Sequence, residues 1–260
     1  DHDGAMARFI GEADVIFCMD FNQINRLDRV TDTVTANTTA VRVLIDHHLH
    51  PPVDGYAVQF SDTHACSTSY IVYQLLEALA GTDAIDQAMA ESLYVGIMTD
   101  TGNFSFSSLT SDLFRAVAVL IDKGVNVPYV NSSVYNNFSE GRMRLLGYML
   151  NDKMVTDYEF GVAYVSLTEE EMRRFDFIQG DSEGFVNYPL SIRGIRMSAM
   201  FIQTKHSIRV SLRSRGEVDV NVFARRYFDG GGHRNAAGGK SYVPMNETLE
   251  NFRKYLREYF

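Results

Sequence analysis

Two short apolar runs that each end in an aspartate constrain the fold more than any other feature of this sequence. Asp14–Asp20 and Val41–Asp46 are rich in β-branched and aromatic residues, and runs with helical periodicity follow them. This alternation is typical of an α/β fold, with a parallel β-sheet flanked by helices. Because ligands bind at the carboxyl ends of such strands, two strands that stop at an acid predict a site at that edge.

The periodic runs also indicate where the chain divides. Helices are predicted over residues 67–79, 83–98, 111–123 and about 140–152. Beyond residue 155 the pattern changes to a strand over 160–167, a capping box at Thr168, strands over 194–203 and 207–212, a helix over 220–227, a glycine-rich loop over 230–239 and a helix from Glu247. We therefore predict two domains, residues 1–153 and a smaller α/β domain of residues 154–260.

Composition excludes several classes of function. A formal net charge of −9 argues against an extended surface for duplex nucleic acid, which needs a basic face. Two cysteines make neither a disulfide framework nor a zinc cluster, which favours a reducing cytoplasm. No apolar run approaches the ~20 residues that a membrane span requires. Because the chain begins with Asp1 rather than Met, its first residue need not be the native start, and a lost targeting segment stays open.

The densest chemical signal is the triplet Asp46-His47-His48, directly after a predicted buried strand. Carboxylates and imidazoles are the ligands that cations such as manganese accept. Taken alone, the triplet is as compatible with a surface turn as with a metal site. The turn interpretation weakens because Asp20 ends the preceding strand and Asp100 opens the segment Asp100-Thr101-Gly102.

In this order, the motifs resemble the DHH phosphoesterase superfamily, specifically the branch of oligoribonucleases and phosphoadenosine-phosphate phosphatases with a C-terminal DHHA1 domain. The resemblance covers nearly the whole chain. Besides the acids and histidines above, it rests on Glu183-Gly184-Phe185-Val186-Asn187, Ser211-Leu212-Arg213-Ser214, Gly230-Gly231-Gly232-His233 and Ala236-Ala237-Gly238-Gly239.

The resemblance implies roles for individual residues. Asp20 takes the part of a carboxylate that bridges two divalent cations, and His47 and Asp100 are further metal ligands. His48 is expected to contact the phosphate, and Asp46 to orient the cluster as a carboxylate behind the ligands. The implied cations are two, with Mn²⁺ favoured over Mg²⁺ or Co²⁺, and together they would activate a water for attack on phosphorus.

The first motif of the family is incomplete in this sequence. Asp1 and Asp3 fit an Asp-x-Asp pair and would be metal ligands, but the strand and histidine that normally precede the pair are absent. Only the sixteen residues from position 4 to 19 separate Asp3 from Asp20. A parallel crossover alone needs about a dozen residues. We expect residues to be missing before Asp1 and within about 5–12; the alternative is a truncated and impaired protein.

The second domain is expected to bind the substrate. Gly231 and Gly232 allow the backbone to approach a phosphate, and His233 follows them. Arg213 lies at the end of a predicted strand, and arginine suits bidentate phosphate contact. A plain turn and a solvated arginine are the ordinary interpretations of these features, and the resemblance reverses them for Arg213 and His233.

Together these features predict a phosphoric ester hydrolase with two lobes around a cleft. The expected substrates are short single-stranded RNA and 3′-phosphoadenosine 5′-phosphate, with no duplex and no membrane as partner. A cyclic-dinucleotide phosphodiesterase, an exopolyphosphatase-like hydrolase and a nucleotide-binding protein without catalysis remain alternatives. The oligomeric state stays open, with a homodimer among the alternatives.

Overall fold

The computed structural model describes the backbone of residues 2–105 and 109–260, with every side chain in those ranges except those of His2, Asp3 and Asp28. The chain divides into two compact units, Asp1–Asn136 and Asn137–Phe260. Both units mix helices and strands, which confirms the predicted α/β class. Within the described ranges, none of the helices combines the length and the apolar character that crossing a membrane would demand.

The first unit begins with a helix and continues with strands and helices in alternation. Its elements are α1 (His2–Gly11), β1 (Val15–Met19), a 3-10 segment (Ile24–Val30), α2 (Thr31–Ala36), β2 (Val41–Asp46), β3 (Val58–Ser61), α3 (Thr68–Ala80), a 3-10 turn (Thr82–Ala84), α4 (Gln87–Asp100), α5 (Ser111–Asp122) and α6 (Val127–Tyr135).

The three strands of this unit form a parallel sheet in the order β1-β2-β3. Met19 is in register with Ile45, and the amide of Asp20 donates to the carbonyl of Ile45 over 3.1 Å. Asp20 and Asp46 are therefore neighbours at the carboxyl edge of the sheet, as the two acid-terminated runs predict.

The strand β1 exposes a row of apolar side chains. Val15, Phe17 and Met19 are 46%, 61% and 41% exposed, and Phe9 of α1 is 80% exposed. Residues 5–11, within which we expected missing residues, form one continuous helix that leads into β1 after a short turn. Parallel sheets are normally covered on both faces. The described residues cover this row only in part, so the sheet of the first unit is partly exposed at β1.

The second unit is built around a six-stranded mixed sheet. Its elements are α7 (Glu140–Tyr148), a π-helical turn (Met149–Lys153), β4 (Val155–Asp157), β5 (Val162–Leu167), α8 (Glu169–Arg173), a 3-10 segment (Phe185–Ser191), β6 (Met197–Gln203), β7 (Ile208–Ser214), α9 (Val220–Tyr227), β8 (Gly231–His233), β9 (Ala236–Ser241) and α10 (Met245–Tyr259). The strand order is β4-β5-β6-β7-β9-β8, and only β5 and β6 are parallel to each other.

The two faces of this sheet are covered unequally. On one face, apolar residues of β5, β6 and β7 pack against α9 and α10 around Phe223 and Phe252, which are fully buried. On the other face, the core that includes Val165 and Met200 packs under α7, α8 and the 3-10 segment, through Leu145 and Phe185 among others. This second core uses β5 and β6 only. The same face of β7 and β9 lies outside it.

One sequence expectation differs from this structure, and another stays a prediction. The compact units divide after Asn136, and α7 and the π-helical turn pack against β5 through the buried Leu145 and Met149; a domain limit after Lys153 stays a prediction. The predicted glycine-rich loop over 230–239 is wrong, because β8 and most of β9 occupy it. A Cβ at Gly230 would lie 2.0 Å from the carbonyl oxygen of Gly238, so glycine here permits close strand pairing rather than a loop.

The capping box predicted at Thr168 is present, and it supports a buried charge network. The carboxylate of Glu171 accepts from Lys153 Nζ at 2.6 Å, from the Tyr148 hydroxyl at 2.8 Å and from the Thr168 amide at 2.8 Å. Burial alone would raise the pKa of Glu171, but these donors outweigh it and lower the pKa from 4.5 to about 2. The network therefore stabilises the fold above pH 4.5 and loses its effect as the pH falls through about 2.

We predict that Glu171→Gln lowers the free energy of unfolding by about 2 kcal/mol at pH 7, because the charged acceptor is lost. The difference from wild type should shrink between pH 4.5 and 2, the window set by the lowered pKa. Chemical denaturation at several pH values measures it. Glu170→Gln is the matched control, because Glu170 is exposed on the same helix. An unchanged pH dependence in Glu171→Gln would contradict the proposed role.

A second prediction concerns the contact between α3 and α4. A Cβ at Gly96 would lie 1.9 Å from Ser69 Oγ and 2.7 Å from Ser69 Cβ, so the helices meet at this glycine. Gly96→Ala should destabilise the first unit by about 2 kcal/mol, because α4 must move. Gly147→Ala is the control, since nothing lies within 4 Å of a Cβ there and alanine should stabilise α7 by up to ~1 kcal/mol. Thermal denaturation of both variants tests this; equal effects would refute it.

Candidate metal centre

The carboxylate of Asp20 lies immediately beyond β1. Its backbone has a φ of 64°, a left-handed conformation that is uncommon for residues other than glycine. The hydroxyl of Thr68, in the first turn of α3, donates to Asp20 Oδ1 over 3.0 Å. A strained turn and a hydrogen bond thus hold this side chain, which is 59% exposed, at the edge of the sheet.

The triplet after β2 places its three side chains differently. Asp46 is fully buried, and its Oδ1 lies 2.7 Å from Nδ1 of His48. Asp46 Oδ2 accepts from the backbone amide of His48 over 3.2 Å. Both oxygens of Asp46 therefore serve to hold His48, with Nδ1 as the proton donor to the carboxylate. This arrangement orients Nε2 of His48 away from the buried acid.

His47 points to the neighbouring acids. Its Nε2 lies 3.6 Å from Asp20 Oδ1 and 3.8 Å from Asp100 Oδ2, and its side chain is only 12% exposed. Its other ring nitrogen, Nδ1, lies 3.3 Å from the carbonyl oxygen of Ala65. Because a carbonyl only accepts, this contact favours the tautomer that carries the proton on Nδ1. Nε2 is then the nitrogen with a lone pair for a cation.

Asp100 is the last residue of α4, where the chain makes a tight left-handed turn. Gly102, Asn103 and Phe104 all have positive φ values, of 57°, 55° and 59°. The buried hydroxyl of Thr101 donates to the carbonyl of Ile97 and accepts from the amide of Phe104, which holds the turn. The predicted Asp-Thr-Gly motif therefore combines a carboxylate with the residues that end its helix.

The donor atoms of Asp20, His47 and Asp100 fit one divalent cation. They all lie within 4.8 Å of one another. Ligands at ~2.1 Å from one ion are separated by roughly 3 to 4 Å, which matches the distances at His47. A second group, Asp20 with Asp46 and His48, shares the Asp20 carboxylate with the first. Oxygen and imidazole donors of this kind suit Mn²⁺, Mg²⁺ or Zn²⁺.

The electrostatics of the cluster also favour a bound cation. Burial raises the pKa of the Asp100 carboxyl; the His47 ring lowers it, whereas the Asp20 carboxylate raises it. Two acids and an imidazole thus share a small volume in which the ionised carboxylates repel each other. A positive ion between them would relieve both effects.

The remaining predicted ligands are not described. Asp1 lies outside the described residues, and the structure describes Asp3 only through its backbone, at the start of α1. Their role as ligands therefore stays a prediction. The ring of Phe104, which follows Asp100 in the turn, contacts Tyr94 and Phe114 and packs against the helical core of the first unit.

The sequence does not indicate which residues support the cluster. Thr68 holds Asp20, and the side-chain amide of the buried Asn22 donates to the carbonyls of Leu49 and His50, over 2.9 and 3.3 Å, in the loop after the triplet. Thr68 begins α3, and Ser67 before it caps this helix by accepting from the amide of Tyr70. Nothing in the sequence shows that Thr68 faces an acid 48 positions earlier.

The second unit holds the predicted substrate-binding residues on β7 and β8. Arg213 is half-buried, its Nη1 donates to the carbonyl of Leu212, and burial lowers the pKa of its guanidinium while Glu183 raises it. His233 ends β8 in register with Ala236, which in turn is in register with Arg213. The two residues therefore flank the same position of β9.

The glycines before His233 have separate functions. Gly232 has a φ of 149°, a Cβ there would lie 2.5 Å from the carbonyl oxygen of Ala236, and its amide donates to the buried side chain of Asn221. Gly232 is therefore required by the strand pairing. A Cβ at Gly231 would meet nothing closer than 3.5 Å, so the fold itself leaves room there.

The Glu183–Asn187 motif forms the start of the 3-10 segment that lies on the second sheet. The guanidinium of the buried Arg142 stacks between Phe138 and Phe185, at 4.0 and 4.7 Å from the ring centres, and donates to the carbonyl of Glu183. Gly184 turns the chain with a φ of 80°. These contacts hold Glu183 beside the arginines of β7.

Comparison with known families and proteins agrees with this geometry. Residues 2–97 match the model of the DHH family, N-terminal domain, and residues 158–260 match that of the DHHA1 domain. The chain is 32% identical over 203 residues to the bifunctional oligoribonuclease and PAP phosphatase NrnA of Bacillus subtilis, which covers 76% of this chain and 62% of that protein. It is 28% identical to the cyclic-di-AMP phosphodiesterase GdpP of the same organism, over 84% of this chain and 32% of GdpP.

A solved structure extends the match to almost every residue. The exopolyphosphatase-related protein of Bacteroides fragilis is 39% identical, with a TM-score of 0.93, over 99% of this chain and 75% of that one. The chain spans slightly less than two thirds of NrnA from Bacillus subtilis. With both domain models matched in order along the chain, this protein belongs to the DHH family and carries a DHHA1 domain.

Proposed function

We propose that this protein is a metal-dependent phosphoesterase that hydrolyses short oligoribonucleotides and 3′-phosphoadenosine 5′-phosphate. The observation that carries the proposal is the convergence of Asp20, His47 and Asp100 donor atoms within 4.8 Å. The name of the Bacillus subtilis relative supports the substrate class.

We propose that the Asp20 carboxylate would hold both cations, as the resemblance implies, because it is exposed beside His47 at the carboxyl edge of the sheet. His47 and Asp100 complete the first site. Asp1 and Asp3 would complete the second. When bound, a pair of divalent ions, with Mn²⁺ favoured, would lower the pKa of a water and neutralise charge on the phosphate oxygens.

His48 and Asp46 act as a pair in this proposal. The buried carboxylate of Asp46 fixes the ring of His48 through Nδ1, so that Nε2 is held in one direction. His48 would donate from Nε2 to a phosphate oxygen when the ring is protonated, and the Asp46 carboxylate would stabilise that cation. Arg213 and His233 of the second unit are proposed to bind the substrate, with Gly231 and Gly232 beside them.

Two related activities remain candidates, each on one observation. Similarity to GdpP favours a cyclic-dinucleotide phosphodiesterase, and similarity to the Bacteroides fragilis protein favours an exopolyphosphatase-like hydrolase. A substrate panel of 3′-phosphoadenosine 5′-phosphate, two- to five-nucleotide RNAs, cyclic di-AMP and inorganic polyphosphate separates them. If none is hydrolysed with manganese, a nucleotide-binding protein without catalysis becomes the better interpretation.

We predict that Asp100→Ala lowers kcat/KM on the best substrate of that panel by at least ~10³-fold, because a metal ligand is lost. A chelator should abolish wild-type turnover, and Mn²⁺ should restore it in wild type but not in the variant. Circular dichroism should show an intact fold. Asp122→Ala is the control, because Asp122 is an exposed acid of the same unit. Near-wild-type turnover by Asp100→Ala with manganese would refute the assigned role.

A further prediction tests the pairing of Asp46 with His48. Asp46→Asn should lower kcat about 10- to 100-fold, because the amide no longer provides two acceptors for His48. If Asp46 acts through His48, the double variant Asp46→Asn/His48→Gln should be no slower than His48→Gln alone. Steady-state kinetics of the four proteins measures the coupling. Additive losses would show that Asp46 acts independently of His48.

A further inference from the structure

The face of the second sheet that carries Arg213 is only partly covered over β7 and β9. Its apolar half, on β5 and β6, lies under helices and the 3-10 segment, which also reaches β7, whereas Arg209 and Lys240 are exposed. The residues that alternate with the core positions of β7 point to this face, and they are Arg209, Ser211 and Arg213. A partly exposed, polar half-face with cationic side chains suits an anionic ligand.

Strand register arranges this half-face in three rows. Arg213 is paired with Ala236, Ser211 with Gly238, and Arg209 with Lys240. Cationic residues therefore stand at both ends of the surface, and small residues lie between them. A Cβ at Gly238 would contact only the backbone of Val210, at 3.3 Å, so the middle row presents nearly bare backbone.

The row farthest from Arg213, here called the far row, places the like charges of Arg209 and Lys240 directly opposite each other. Such a cross-strand pair is destabilising unless an anion lies near it. Arg209 donates to Ser182 over 2.9 Å and lies 4.0 Å from the carboxylate of Glu183, which is 78% exposed. Lys240 is exposed and has no hydrogen bond or ion pair through its side chain to any described residue. The carboxylate of Glu183 thus lies near one member of this cationic pair, at the limit of an ion pair.

The two ends of the surface are too far apart for one phosphate. Arg213 lies four positions beyond Arg209 along β7, which is about 13 Å at the rise of a strand. Side chains of strands stand roughly perpendicular to the sheet, so the two cationic ends remain separate. A ligand that contacts both must carry at least two phosphates joined by a linker that can lie over the small middle row.

We propose that Arg209 and Lys240 bind an internucleotide phosphate of a short RNA whose other end is held at Arg213. This inference rests on the proposed function and deepens it: the pair makes the protein favour oligonucleotides over 3′-phosphoadenosine 5′-phosphate. That nucleotide carries both phosphates on one ribose and does not reach the far row. Arg209 and Lys240 are thus specificity-determining residues for substrate length.

The test compares a three-nucleotide RNA with 3′-phosphoadenosine 5′-phosphate in the double variant Arg209→Gln/Lys240→Gln. We expect kcat/KM on the RNA to fall roughly tenfold relative to that on the mononucleotide, mainly through KM, for two lost phosphate contacts. The matched control is Lys254→Gln/Arg257→Gln, which removes the same charge from exposed positions of α10, on the opposite face. The control should keep the wild-type ratio.

Binding provides a readout that does not depend on turnover. With Asp100→Ala present in every protein, anisotropy of a labelled three-nucleotide RNA should show roughly tenfold weaker binding in the double variant. The salt dependence of log Kd should also flatten by about 0.7, because the two residues neutralise one phosphate of a single strand. Arg209→Lys should retain most of the affinity.

The outcomes separate the two proposals. If wild type hydrolyses neither compound, the proposed function fails, and the binding data alone decide on Arg209 and Lys240. If wild type hydrolyses RNA but the double variant keeps both the wild-type substrate ratio and the wild-type salt dependence, the inference is overturned while the proposed function stands. An equal loss in the control pair would show a nonspecific effect of net charge and would also overturn it.

Discussion

The imidazole of His47 lies between two carboxylates, at 3.6 Å from Asp20 and 3.8 Å from Asp100, and the surrounding structure serves to hold that arrangement. Ionised acids at such separations repel each other, and burial adds to the cost at Asp100. The fold sustains this cost because each member is held by a contact of its own: Thr68 donates to Asp20, Nδ1 of His47 lies 3.3 Å from the carbonyl oxygen of Ala65, and the turn held by Thr101 follows Asp100. A divalent cation would convert the repulsion into coordination.

The second unit carries cationic residues on β7 and β9, which suit an anion. Its sheet buries apolar residues of β5, β6 and β7 on one face and of β5 and β6 on the other, where arginine and lysine stand on β7 and β9. Glycine matters here for two distinct reasons. Gly232 is needed because a side chain would collide with β9, whereas Gly238 exposes backbone between the two cationic rows. A run that reads as a flexible loop in the sequence is therefore a tightly paired hairpin.

Local patterns in the sequence were sufficient to predict most of the helices and strands. The run Val41–Asp46 is a strand at the predicted residues, and the capping box at Thr168 is present, because alternation and caps depend on near neighbours. The hairpin at Gly231 was missed, because its glycines satisfy contacts with β9 and Asn221 rather than local turn geometry. The short edge strand β3 also carried too little pattern to be recognised.

By itself, the sequence predicted which residues would carry the proposed chemistry, since acids at strand ends and the paired histidines are chemical types with few other uses in that order. It also determined the α/β class. Only the tertiary structure decided which of these groups contact each other. Asp46 faces His48 rather than His47, and Thr68 holds Asp20. Arg209 likewise stands opposite Lys240. The physical reason is that such contacts join residues distant in the chain, through strand register and helix packing that no local pattern records.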